Sequence, residues 1–147
     1  MPSRRRVLAA AGLLPWAAQA GPVLKVGPRR ALTSLAAAAR QARDGSVLEV
    51  DAGDYVADVA TWPQHDLTLR AVGGRVRVIG NGAHAQGKGL FVTTGQRQRI
   101  EGFDFIGGAV PDRNGAGIRL EAGSLTLVDC VFRDNENGLL SANDERI

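Results

Sequence analysis

Six charged side chains in the second half of the chain are of the types that do acid, base or metal chemistry: Glu101, Asp104, Arg119, Glu121, Asp129 and Arg133. They alternate with apolar residues, so they belong to the outer side of whatever those residues bury. A calcium ion needs several oxygen ligands converging at about 2.3 to 2.6 Å. Asp104 with Glu121, or Asp129 with Asp134, are the pairs that successive turns of chain could bring together. A retaining glycosidase needs two carboxyls about 5 Å apart, and an inverting one a wider gap. Adjacent parallel strands offer the first distance almost anywhere, so spacing alone selects no pair. The default for each pair is a solvated face of alternating charge. The catalytic residues therefore stay unknown, and no residue is assigned to a cofactor or a metal.

The other reactive types read as structural. His65 and His84 sit alone in polar loops, outside any metal-ligand spacing. Asp134-Asn135-Glu136-Asn137 lacks the spacing of a calcium loop and reads as a turn. Asn114, Asn135 and Asn137 stand at corners before glycine-led strands, a position that suits asparagine because it tolerates left-handed backbone and can bond locally to peptide groups. Cys130 is the single cysteine, so no internal disulfide is available. It lies between Leu127 and Phe132, where a small buried hydrophobe fits, and Asp129 beside it is the wrong sign to activate a thiol. Trp62, in "ATWPQHD", either shields the first coil or offers a sugar a stacking surface. "GNGAHAQGKG" has glycine and lysine without the order, or the following helix, of a phosphate loop.

The elements that must position these groups are short. "GPVLKVGPRR" holds a strand, and "ALTSLAAAARQARDG" reads as a helix with Leu32, Leu35, Ala39 and Ala42 on one side. Thr33 or Ser34 caps its start and Gly45 suits its exit. From Val47 onward, alternation replaces the helical period: strands are expected at 47–50, 67–71, 76–80, 89–92, 99–105, 117–121, 125–132 and 138–140. "RIEGFDFIGG" overlays "TLVDCVFRDN" at an offset of 27 residues, setting Ile100 on Leu127, Phe103 on Cys130 and Phe105 on Phe132. A glycine-led series at 89, 117 and 138 repeats at offsets of 28 and 21, with "VLEV" at 47 as its first member and an enlarged first turn after it.

Repeats with unequal spacing describe a solenoid whose loops vary while its strands stay in place. Inward parity changes at Val128-Asp129, from Leu125 and Leu127 to Cys130 and Phe132, which marks a corner. The competing antiparallel sandwich would use Asn81-Gly82, Asn114-Gly115 and Asn137-Gly138 as hairpin turns, and explains neither repeat nor corner. The expected fold is all-β: a right-handed parallel β-helix of three-strand coils with a short N-terminal capping helix.

Charge and leader narrow the setting. The net charge is +3, but residues 1–20 hold Arg4, Arg5 and Arg6 and no acid. The remainder balances at 15 basic and 15 acidic residues, which argues against a nucleic-acid surface. "MPSRRRVLAAAGLLPWAAQA" has a basic start, an apolar stretch from Val7 to Leu14 and Ala18-Gln19-Ala20 as a cleavage signal. The stretch is too short for a permanent membrane anchor. The arginines also resemble a twin-arginine export signal, with Val7 where an aromatic is often found. Residues 1–20 are thus expected to be an export signal, 21–46 the first strand and capping helix, and 47–147 a β-helix incomplete at its C-terminal end. The location implied is periplasmic or secreted.

"LTSLAAAARQARDGSVLEVDAGDY", "RIEGFDFIGG" and "GIRLEAGSLTLVDCVFRDNENGLL" together resemble the pectate lyase superfamily of right-handed parallel β-helices, over residues 25–147. The resemblance implies an entry helix over the first coil and a polysaccharide partner. It implies either a lyase or hydrolase whose active site lies mostly beyond this chain, or a non-catalytic carbohydrate-binding or cell-surface β-helix. Calcium enters only as the cofactor of a full-length lyase. The sequence stops at "SANDERI", just after another turn opens. An N-terminal fragment of about three turns is therefore expected, or a short chain that stacks end to end with a partner.

Overall fold

The computed structural model describes residues 21–143 and 146–147; the expected export signal lies outside the described residues. Among the described residues, eleven strands and one helix wind into about four stacked coils. The strands are β1 (Val23–Val26), β2 (Val47–Val56), β3 (Ala60–Trp62), β4 (Thr68–Ile79), β5 (Gly89–Thr93), β6 (Gln98–Glu101), β7 (Phe103–Ile106), β8 (Ala116–Leu120), β9 (Leu125–Val128), β10 (Val131–Arg133) and β11 (Asn137–Ser141). The helix α1 covers Leu35–Gln41. Every ladder between strands is parallel, which excludes the hairpin-joined sandwich.

Each coil has three faces. Face I stacks β1, the first half of β2, the first half of β4, β6 and β9. Face II stacks the second halves of β2 and β4 with β7 and β10, and face III stacks β3, β5, β8 and β11. The inward residues form continuous files: Leu48, Leu69, Ile100 and Leu127 on face I, and Tyr55, Val78, Phe105 and Phe132 on face II. The expected superposition of Ile100 on Leu127 and of Phe105 on Phe132 is therefore the hydrogen-bonded register.

The corners explain how alternation survives a bend. Each of the three carries, in each coil, a residue with left-handed backbone. Between faces I and II these are Gly53, Gly73 and Gly74, Gly102 and Asp129. Between II and III they are Ala57, Asn81, Gly107 and Asp134, and between III and I they are Gly45, Asp66, Arg97 and Gly123. One such residue turns the chain and resets which parity faces inward, as expected at Val128-Asp129.

Two expectations about the glycine series need correction. "VLEV" at 47 belongs to face I, pairing with β1 and β4, so it does not lead the glycine series. That place is taken by β3, whose Ala60 pairs with Phe91; a strand of three residues has too little alternation to be seen in sequence. The glycine series also shifts by one residue, since Gly89 pairs with Ala116 while Gly117 does align with Gly138. The slip matters because it puts Phe91 above Ile118. Phe91 packs on Trp62, Phe103 and Phe105, with ring centroids 5.4, 6.3 and 5.1 Å away.

The helix lies over the first coil, its Leu35 and Ala38 buried in the common core. Ser34 is the cap: its hydroxyl accepts from the Ala37 amide at 3.0 Å. Asp58 accepts from the amides of Leu35 and Ala36 at 2.7 and 2.9 Å, placing a carboxylate at the positive end of the helix. At the other end Gln64 donates to the carbonyls of Ala39 and Ala42. Asp58 and Gln64 flank β3, so the short strand and the helix hold each other. Gly45 does not end the helix, which finishes at Gln41; it is the first corner residue instead.

Candidate functional site

A shallow groove of about 380 Å³ runs along the corner between faces I and II, lined by Ala71, Gly74, Arg75, Glu101, Gly102, Val128 and Asp129. Its floor is open because this corner is built from residues with little or no side chain. Gly102 turns with φ +76°, and a Cβ there would come within 3.0 Å of Ala71 Cβ. The next coil up replaces glycine by Asp129, whose left-handed backbone sends a carboxylate to the rim.

Arg75 organises the groove. Its guanidinium reaches Asp104 Oδ1 at 2.6 Å and Asp129 Oδ2 at 2.9 Å, and it donates to the Asp129 carbonyl at 2.8 Å, spanning three coils. The bond to Asp104 raises the pKa of Arg75, partly offset by burial. Arg133 approaches the other oxygen of Asp104 at 3.7 Å, and Glu101 pairs with Arg99. Arg75 was invisible in the sequence because it follows Gly73-Gly74 in what reads as a turn. Its partners lie 29 and 54 residues away.

The six outer residues divide between two places. Glu101 and Asp129 line the groove, and Asp104 and Arg133 connect to it through the ion pairs of Asp104 with Arg75 and Arg133. Arg119 and Glu121 lie on face III, where Glu121 takes Arg119 at 2.7 Å and Lys88 at 3.3 Å. Asp104 and Glu121 thus answer to different cations, and Asp104 is buried under Arg75 rather than solvated, with its side chain 5% exposed. Asp129 and Asp134 occupy the successive corners on either side of β10. Among the described residues no three His, Cys, Asp or Glu side chains converge as metal ligands.

The remaining reactive types hold the fold. His65 Nδ1 accepts from the Gln96 amide at 2.9 Å, tying one coil to the next, and His84 Nδ1 accepts from the Gly87 amide at 3.1 Å, closing a turn. Asn135 accepts from the Gly108 amide and donates to the Phe105 carbonyl, tying coil 4 to coil 3. Cys130 is half-buried against the core and burial raises its thiol pKa, away from the range of a nucleophile. Trp62 is 1% exposed, which settles its choice: it packs edge-on against Phe91 and offers sugar no platform.

General-acid cleavage of a glycoside needs a carboxyl that keeps its proton until it meets the leaving group. The two carboxylates that line the groove, Glu101 and Asp129, and the adjoining Asp104 are each engaged by an arginine. The arrangement is suited to holding hydroxyl groups through charged donors and acceptors. Comparison with protein-family models, curated proteins and solved structures gave no match.

Proposed function

We propose that this protein is an exported, carbohydrate-binding β-solenoid, and that the described coils hold a neutral polysaccharide in the corner groove without cleaving it. The observation that carries this reading is the arginine-compensated groove. Donors of Arg75 and acceptors of Glu101 and Asp129 line a glycine-floored channel crossing three coils, and Arg99 pairs with Glu101 beside it. Arg75, Arg99 and Arg133 are balanced by Glu101, Asp104 and Asp129, so an anionic chain gains no net attraction, whereas hydroxyl pairs bond to both signs. The resemblance of residues 25–147 to the pectate lyase superfamily supports a glycan partner, and the three-part leader supports export. Among the described residues no helix is long and apolar enough to cross a membrane.

Affinity electrophoresis of the chain through gels holding neutral or uronate polysaccharides tests the proposal. Retardation by a neutral polymer, insensitive to salt and abolished by Glu101→Gln with Asp129→Asn, is expected. Retardation only by uronates, or retention unchanged in the double variant, would refute it. Release of shortened or unsaturated sugars would replace binding by the polysaccharide lyase or hydrolase reading.

A further inference from the structure

Parallel winding leaves the three Asn-Gly pairs without the hairpin turns they would form in an antiparallel sheet, and each pair sits in a different setting. Asn81-Gly82 lies at the start of the 80–88 passage, with both residues exposed. There φ is +45° at Asn81 and +86° at Gly82, and the Ala83 amide donates to the Gly80 carbonyl at 2.9 Å. This is a tight turn whose two central residues both have left-handed backbone. The Gly82 amide and the Asn81 carboxamide have no hydrogen-bond partner among the described residues. A Cβ at Gly82 would meet nothing within 4 Å, so the approach to that nitrogen is open.

Asn114 is exposed as well, yet the amide that follows it is engaged. Gly115 is buried, its N–H donates to the Glu136 carboxylate, and a Cβ there would come within 2.7 Å of the Ala109 backbone. Glu136 also accepts from the Val110 amide at 3.3 Å, so one carboxylate closes the 107–115 passage across its mouth. Asn137 is held differently again. It lies in β11 in register with Ala116, and its own amide donates to the Gly115 carbonyl at 2.8 Å.

We propose that Asn81 is a site of spontaneous deamidation, a modification that the fold admits there and hinders at Asn114 and Asn137. The peptide nitrogen of the following residue loses its proton to hydroxide and attacks the side-chain carbonyl carbon. The new C–N bond closes a five-membered succinimide, and the carboxamide nitrogen takes up a proton from water and leaves as ammonia. Water then opens the ring at either carbonyl, giving an aspartyl or an isoaspartyl link. The sum is asparagine plus water to aspartate plus ammonia, with no change of oxidation state. At Gly82 the nitrogen is exposed and unhindered by a Cβ, and closing the ring costs the turn its bond from Ala83 to Gly80. At Gly115 a carboxylate holds the same proton, and its charge opposes an anionic nitrogen. At Asn137 ring closure would pull β11 out of register with β8. The product places a new negative charge on a corner of coil 2, and the long 80–88 passage absorbs the extra backbone atom of the isoaspartyl form.

Incubation of the folded chain in mildly alkaline buffer, followed by tryptic peptide mapping, tests this. Cleavage after arginine and lysine separates the three asparagines into peptides 78–88, 114–119 and 134–146. Peptide 78–88 should gain about one dalton and split into aspartyl and isoaspartyl forms. Its rate should rise with hydroxide and exceed that at Asn114 or Asn137 by roughly tenfold or more, because those two react only through local opening. In urea the three rates should converge, since each asparagine then precedes glycine in an unfolded chain. Glu136→Ala should speed Asn114 and leave Asn81 unchanged, the second rate reporting that the fold is intact. An unmodified Asn81, an Asn114 that keeps pace with it in the folded chain, a ranking that survives in urea, or an Asn114 indifferent to Glu136→Ala would each overturn the proposal.

Discussion

Arg75 is the side chain on which the groove and the local stability both depend. Arg75→Met strands the buried Asp104 carboxylate with only the distant Arg133. A loss of about 2 kcal/mol is expected in urea denaturation, below the roughly 3–5 kcal/mol of a fully buried pair because Arg75 itself is partly exposed. Adding Asp104→Leu should recover most of it, since the unpaired charge then disappears. Tyr55 gives a second residue-scale test. Its hydroxyl donates to the Asp51 carbonyl at 2.6 Å, and burial pushes the phenol up to about 12. The unfolded phenol titrates near 10, so its contribution to stability is full below pH 10 and is lost as pH rises towards 12. Tyr55→Phe should flatten that alkaline decline while losing about 1 kcal/mol at neutral pH. On the acid side, the Arg30 and Arg97 guanidiniums lower the pKa values of Asp51 and Asp66. Those pairs contribute above the unfolded carboxylate range near 4 and fade as pH falls through the lowered folded values. Of these residue roles the sequence showed little. It displayed which carboxylates face outward, but not which arginine would cross coils to meet them, because loop lengths between coils cannot be read from local pattern.

At the scale of elements the corners decide what can be exchanged. Ala57 has φ +55° and is exposed, a conformation that costs an L-residue roughly 1–2 kcal/mol and glycine almost nothing. Ala57→Gly should therefore stabilise the protein by roughly 0.5–1 kcal/mol in thermal or chemical melts, the reverse of the usual effect of that substitution. The helix is the opposite case, since Ser34→Ala removes a cap and should cost about 1 kcal/mol. Most elements were legible from alternation, and the parity change at Asp129 disclosed a corner without any structure. What escaped was β3, too short to show a period, and the continuity of β2 and β4 across a corner, where Gly53, Gly73 and Gly74 resemble strand-ending turns. The one-residue slip of the glycine series has the same origin. Glycine marks a place for close approach, and here neighbouring coils put that place at different steps of the strand.

For the whole molecule, stability accumulates by stacking, so position along the axis matters as much as residue type. Leu69 and Leu127 share one inward file, but Leu69 lies between two coils and is 1% exposed, while Leu127 is only partly buried. Leu69→Ala should cost about 3 kcal/mol and Leu127→Ala about 1, in the same denaturation assay. The aromatic file from Trp62 through Phe91 and Phe105 to Phe132 joins all four coils, which favours their unfolding as one unit. The passage from face II to face III has a separate consequence. It takes three residues in the first and last coils but nine in each of the middle two, 80–88 and 107–115. A wall of rigid rungs thus carries two balconies on one side only, and added length there is charged little beyond the entropy of a longer loop. Foreign peptides grafted at their tips would be displayed one above the other, at a separation set by the rungs.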